Sequence, residues 1–160
     1  MANEIYNTSE WGSPMEIGWG SIYYDFSQGG GLDGTSFITT WRTTTANETI
    51  TFATAGDYDV SISGTFPRIY FNNSGDKDKI IKVKQWGNIA WGSNQDKAFY
   101  GVSNCDWTAI DYPNWSNVTR MSGTFRSSSF NGNLTNWDFS NVTRLDVAFY
   151  NASSFTGQGL

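Results

Sequence analysis

Carboxylates stand in two close pairs, Asp57 with Asp59 and Asp76 with Asp78. Such a pair offers hard oxygen ligands of the kind calcium takes. Two carboxylates facing one sugar can also hydrolyse a glycosidic bond. Neither pair brings the further ligands of a calcium loop, and both fall where the chain is expected to turn. Both therefore read as solvated turn acids. Cys105 is the single cysteine, set in Ser103-Asn104-Cys105-Asp106-Trp107. No Lys or Arg adjoins it to hold a thiolate, so it reads as a small buried residue. One cysteine leaves no disulfide to form within the chain. Histidine is absent, which removes the commonest general base and the commonest zinc ligand. The chain is expected to be non-enzymatic, with no catalytic residue, no metal and no cofactor.

The remaining chemistry is aromatic. The chain holds 8 Trp, 8 Tyr and 11 Phe, which is enough large apolar area for a compact core in 160 residues. Trp107, Trp115 and Trp137 recur in the C-terminal part. They are expected in the core; exposed, they would form a strip for surface binding of a glycan or a protein. A second group, Tyr6, Trp11, Trp19, Tyr23 and Tyr24, crowds a Gly-rich opening that ends in the flexible joint Gln28-Gly29-Gly30-Gly31. A net charge of -5 presents no basic face for phosphates, so nucleic acid is not an expected partner. The opening Met1-Ala2-Asn3-Glu4-Ile5-Tyr6-Asn7 has neither a basic nor an apolar signal region. No apolar run reaches the roughly 18 residues of a membrane span. Export and membrane insertion are not expected.

Three regions must position these residues. Residues 1–34 are expected to form an extended N-terminal anchoring arm, too short and Gly-rich to fold without a surface to lie on. Residues 35–91 read as a small β-sandwich-like domain. Its strands are expected at Phe37–Thr43, Thr49–Phe52, Tyr58–Gly64, Arg68–Phe71 and Ile80–Trp86. Strict alternation puts Tyr58, Val60 and Ile62 on one buried face. In the last of these strands the same rule groups Ile81, Val83 and Gln85. Fold class is mainly β.

Residues 92–160 carry a repeat. Ser116-Asn117-Val118-Thr119-Arg120 returns in full as Ser140-Asn141-Val142-Thr143-Arg144. Ser128-Ser129-Phe130 returns as Ser153-Ser154-Phe155, and Ala98-Phe99-Tyr100 is echoed by Ala148-Phe149-Tyr150. One coil of this length cannot close a core. Stacking sets Val118 over Val142, Met121 over Leu145 and Phe125 over Phe149, a continuous apolar ladder in a short solenoid. Asn117 and Asn141 are expected at turns, where a structural role explains their N-x-T sequons better than glycosylation does. The final edge is expected to be short or covered by a partner.

The segment Asn136-Trp137-Asp138-Phe139-Ser140-Asn141-Val142-Thr143-Arg144-Leu145, followed by Ala148-Phe149-Tyr150-Asn151-Ala152-Ser153-Ser154-Phe155, resembles the BspA-like repeats. These are leucine-rich-repeat variants of bacterial surface proteins and some phage-encoded proteins. The resemblance extends over about residues 37–160. The opening from Glu4 through Asp25 is similar to the start of some small phage structural proteins. Together these resemblances imply a virion component, a capsid decoration, head-fibre or tail-associated protein assembled in the host cytoplasm. Its arm would contact other virion proteins and its repeat module would face a host surface glycan or protein. A homo-oligomer is the expected state. The alternative they imply is an adhesin on a bacterial cell surface.

Overall fold

A computed structural model of the chain describes the backbone of residues 3–8, 15–17, 22–28, 37–38, 48–50 and 58–160, and side chains at Val60, Ile62 and from residue 64 onward. The expected positions of Trp11, Trp19 and Asp57 lie outside the described residues. The described chain is mainly β. Its strands are β1 (Asn3–Thr8), β2 (Met15–Ile17), β3 (Ile22–Gln28), β4 (Phe37–Ile38), β5 (Glu48–Ile50), β6 (Tyr58–Phe66), β7 (Ile80–Val83), β8 (Ala90–Trp91) and β9 (Asp106–Trp107).

The alternating segment from Tyr58 becomes β6, the strand around which the sheet is ordered. It pairs antiparallel with β3 on one side and β1 on the other, and β4 extends the β3 edge. Tyr6 lies opposite Val60 in β1, while Tyr23 and Tyr24 lie opposite Ser63 and Ile62 in β3. Two strands from residues 1–34 are thus laid along β6. Val60 and Ile62 are fully buried, as their alternation requires. β1 also pairs with β7, and β2 with β5.

Two expected strands differ. Residues 68–71 form no strand: the N–H groups of Phe71 and Asn72 donate instead to Ala98 O and Lys97 O. Pro67 precedes this segment, and Asn72 and Asn73 follow it with φ of 47° and 59°, a left-handed pair that extended pairing cannot continue. The strand expected to reach Trp86 stops at Val83. Its buried residues are Ile80 and Val83 rather than an alternating set. The Asp111 carboxylate accepts from the N–H of Trp86 and of Gly87, at 2.9 and 2.7 Å. That turns the chain and drops the Trp86 ring into the core. Around Asp76 and Asp78 the turn is a 3-10 helix, Gly75–Lys79.

From β6 onward the pairing becomes parallel at near-constant intervals. Phe66 pairs with Trp91, Val83 with Trp107, and Arg120 with both Asn94 and Arg144. Beside these bridges lie successive backbone rungs, at 97–101, 121–127 and 145–151. Lys97, Phe99 and Gly101 donate to Ser122, Thr124 and Arg126; Met121, Gly123, Phe125 and Ser127 donate to Arg144, Asp146, Ala148 and Tyr150. Each rung's alternate N–H groups feed the next rung's carbonyls, so this side of the stack has a direction. The positive-φ positions also recur, at 97 and 101, 123 and 127, and 147 and 151. Glycine fills some of them, Lys, Ser, Val and Asn the others.

Aromatic rings fill the space the rungs enclose. Phe99, Phe125 and Phe149 stack with near-parallel planes, ring centroids 5.4 and 5.7 Å apart and interplanar angles of 6° and 9°. Trp115 meets Trp137 edge-on at 4.5 Å, and Trp86 lies edge-on to Trp137 at 5.4 Å. These are the favoured aromatic geometries, each adding roughly 1 kcal/mol beyond area burial. The buried Gln95 ties the sheet to the first rung: its Nε2 donates to Pro67 O and Gly92 O, at 2.7 and 2.9 Å. Glycine is required at 92 because an added Cβ would strike the Pro67 backbone.

Candidate functional site

The tryptophans that could have formed a strip face inward. Trp115 and Trp137 are buried. Trp107 is half-buried, its indole N–H donating to Ser129 Oγ at 3.0 Å. Ser129 Oγ in turn donates to Cys105 O at 2.8 Å. Cys105 is itself buried, and burial pushes its thiol well above the ordinary value, which disfavours the reactive thiolate. Asp76 pairs with Lys79 at 2.6 Å and Asp78 with Lys77 at 2.7 Å. Among the described residues no group of His, Cys, Asp and Glu is gathered for a metal. Asp59 lies in β6, with its side chain outside the described residues.

The repeat residues divide by rung. Val118, Met121 and Phe125 are fully buried, Val142 and Phe149 are partly buried, and Leu145 is exposed. Corner residues tie neighbouring copies together. Asn117 and Asn141 both lie in turns, and Asn141 Nδ2 donates to Ser116 O at 2.8 Å. Thr143 N and Oγ1 both donate to Thr119 O, at 2.8 and 3.1 Å. Asp96 spans two rungs, accepting from the Arg120 guanidinium at 2.5 Å and from Ser122 N at 2.7 Å.

What this geometry leaves open is the outer edge of the last rung. Leu145, Val147, Phe149 and Asn151 correspond to Met121, Gly123, Phe125 and Ser127, whose N–H groups all reach a following rung. Among the described residues no backbone carbonyl accepts from the N–H groups of those four. Leu145, Val147 and Tyr150 are exposed along the same rung. The edge thus offers alternate backbone donors and an apolar border together, the combination a partner supplying extended carbonyls would cover. A second apolar feature lies on the loop after β9. Ile110 and Tyr112 are exposed there on either side of Asp111, whose carboxylate holds the loop to Trp86 and Gly87.

Sequence reasoning named Leu145 and Phe149 as ladder residues. Their exposure depends on which copy has a rung beyond it, something no property of the motif itself records.

Residues 93–158 match the model of the family described as Mycoplasma protein of unknown function, DUF285. The match is consistent with a BspA-like repeat and covers the rung-forming part of the chain. No curated protein and no solved structure matches the chain. Among the described residues no helix is long and apolar enough to cross a membrane.

Proposed function

We propose that this chain is a non-enzymatic structural and binding protein carried on a larger particle, a phage virion, as a capsid decoration, head-fibre or tail-associated component. In this reading residues 1–34 hold it to other virion proteins, residues 35–91 form a sandwich-like base, and residues 92–160 form a short BspA-like solenoid. The observation that carries the binding role is the open last rung. Among the described residues the N–H groups of Leu145, Val147, Phe149 and Asn151 meet no backbone carbonyl, and with exposed Leu145, Val147 and Tyr150 this favours association over an isolated surface. A homo-oligomer is the state in which such chains would be presented. The outward module would then meet a host surface protein or glycan.

The test is mass spectrometry of gradient-purified particles from the source. The chain is expected at fixed stoichiometry to the capsid or tail proteins. Recovery only with the cell envelope would overturn the virion reading. That outcome would support the second reading, a bacterial surface adhesin, which the match of residues 93–158 to a family described from Mycoplasma favours.

A further inference from the structure

Three residues from successive rungs meet on one outer face of the stack. Arg126 lies between two tyrosines, its Cζ 5.0 Å from the Tyr100 ring centroid and 5.2 Å from that of Tyr150. All three occupy one repeat position, each directly before the positive-φ residue or glycine that closes its rung, Gly101, Ser127 and Asn151. Stacking between two rings fixes the guanidinium in place.

Lys97 joins them through a bare glycine. A Cβ added at Gly123 would lie 3.7 Å from Lys97 Cγ and 4.0 Å from Arg126 Cδ, so the two basic stems pack against the same buried glycine. Gly123 takes φ 63°. Glycine there serves the backbone, and Gly123 is buried against the two basic stems.

These two cations differ from five others in lacking an acid. Lys77, Lys79, Lys82, Arg120 and Arg144 each sit on a carboxylate. Among the described residues no carboxylate pairs with Lys97 or Arg126. On a chain of net charge -5, two adjacent basic groups left without a partner suit a ligand that brings the anion.

The border of this face says more about that ligand. Tyr150 is 61% exposed, which leaves phenol ring area open to solvent. Nearby, Asn151 Nδ2 donates to Ser127 Oγ at 3.3 Å, placing an amide and a hydroxyl at the rim. An aromatic ring, short hydrogen-bonding side chains and a guanidinium together match a sugar ring that carries a planar carboxylate. A free inorganic anion would leave the ring unused.

We propose that the face formed by Lys97, Tyr100, Arg126 and Tyr150 is a binding site for uronate-type acidic saccharides. The carboxylate pairs with Arg126 and Lys97, and the ring packs on Tyr150. This names a ligand class for the binding role proposed above. It rests on that role and not on the particle that carries the chain.

Isothermal titration of the full chain tests it, with an oligogalacturonate as the probe. The comparison probes are its methyl ester, an oligoglutamate peptide and sodium sulfate. The oligogalacturonate is expected to bind. Methyl esterification and Arg126→Gln are each expected to weaken it about tenfold, the loss of one charge-assisted pair. Lys97→Asn is expected to weaken it less, and it keeps the test valid should Arg126→Gln unfold, because Asn accepts the positive φ at this exposed position. Arg144→Gln, which removes a cation already paired with Asp146, is expected to change nothing. Three results would overturn the site: no binding of the oligogalacturonate, full affinity in both variants, or equal affinity for the peptide or for sulfate. None of them bears on whether the chain co-purifies with particles, so the two ideas fail separately.

Discussion

The middle and last copies of the repeat spell nearly the same motif and meet different fates. Met121 is 0% exposed, while Leu145 at the matching position is 42% exposed. Val118 and Phe125 are fully buried, while Val142 and Phe149 are only partly so. The middle copy lies between two rungs and the last lies on one. Burial in a stack is therefore a property of neighbours, and the same apolar side chain stabilises an inner rung far more than an outer one.

The aromatic ladder gives the largest effect by which this contrast can be broken. Phe125→Ala should cost about 4 kcal/mol in denaturant unfolding, and Phe149→Ala about half of that, because Phe149 is only partly buried. Equal losses would mean that the last rung is buried in solution. The next pair sharpens the same point. Met121→Ala should cost about 3 kcal/mol, whereas Leu145→Ala should stay within about 1 kcal/mol. A large loss at Leu145 that disappears on dilution would reveal a partner on the open edge.

A third contrast concerns the backbone. Gly123 and Val147 hold matching positions with φ of 63° and 50°. A β-branched residue is strained there and glycine is not. Val147→Asn should raise stability by about 1 kcal/mol, since Asn tolerates this region best among residues with a side chain. Thermal melts of the two proteins would check it, and a lower midpoint for the variant would contradict the strain.

The smallest effect is a pH dependence confined to the last copy. Asn114 and Asp138 make the same local turn, accepting from Ser116 N at 3.3 Å and Ser140 N at 2.9 Å. Only the aspartate titrates. Hydrogen bonds from the Ser140 hydroxyl and N–H hold the Asp138 carboxyl below its ordinary value of 3.8. A depressed carboxyl stabilises the fold above its unfolded value, and that contribution is lost as pH falls through the folded one. Protection of the Ser140 amide, measured against its intrinsic exchange rate, should therefore fall below pH 3.8. Asp138→Asn should remove this dependence while leaving exchange at Ser116 unchanged. Identical acid profiles at the two serines would refute it.

Much of the core was legible in the sequence. Alternation in Tyr58–Ile62 placed Val60 and Ile62 inside. The repeated pentapeptide marked the two close copies, and those copies do pair, Arg120 with Arg144. The same reading missed the Tyr100, Arg126 and Tyr150 column, although one signal was present: aromatic, cation and aromatic at a single repeat position. It was hidden because the interval from Tyr100 to Arg126 is longer than that from Arg126 to Tyr150, so no fixed period aligns all three. The strand expected at residues 68–71 failed for another reason. β-propensity reports a fit to a pleated surface, and the left-handed asparagines that follow hand those amides to the first rung instead.

By itself, then, the sequence determined that the chain is mainly β, that its C-terminal part is periodic, and which side chains recur at each step. Those properties are local: alternation, turn chemistry and spacing are set by covalent neighbours. The tertiary structure decided which copies lie inside, where the tryptophans face, which cations find acids and which amides find carbonyls. These depend on what packs against each rung, so Met121 and Leu145 share a motif position and differ in everything that burial controls.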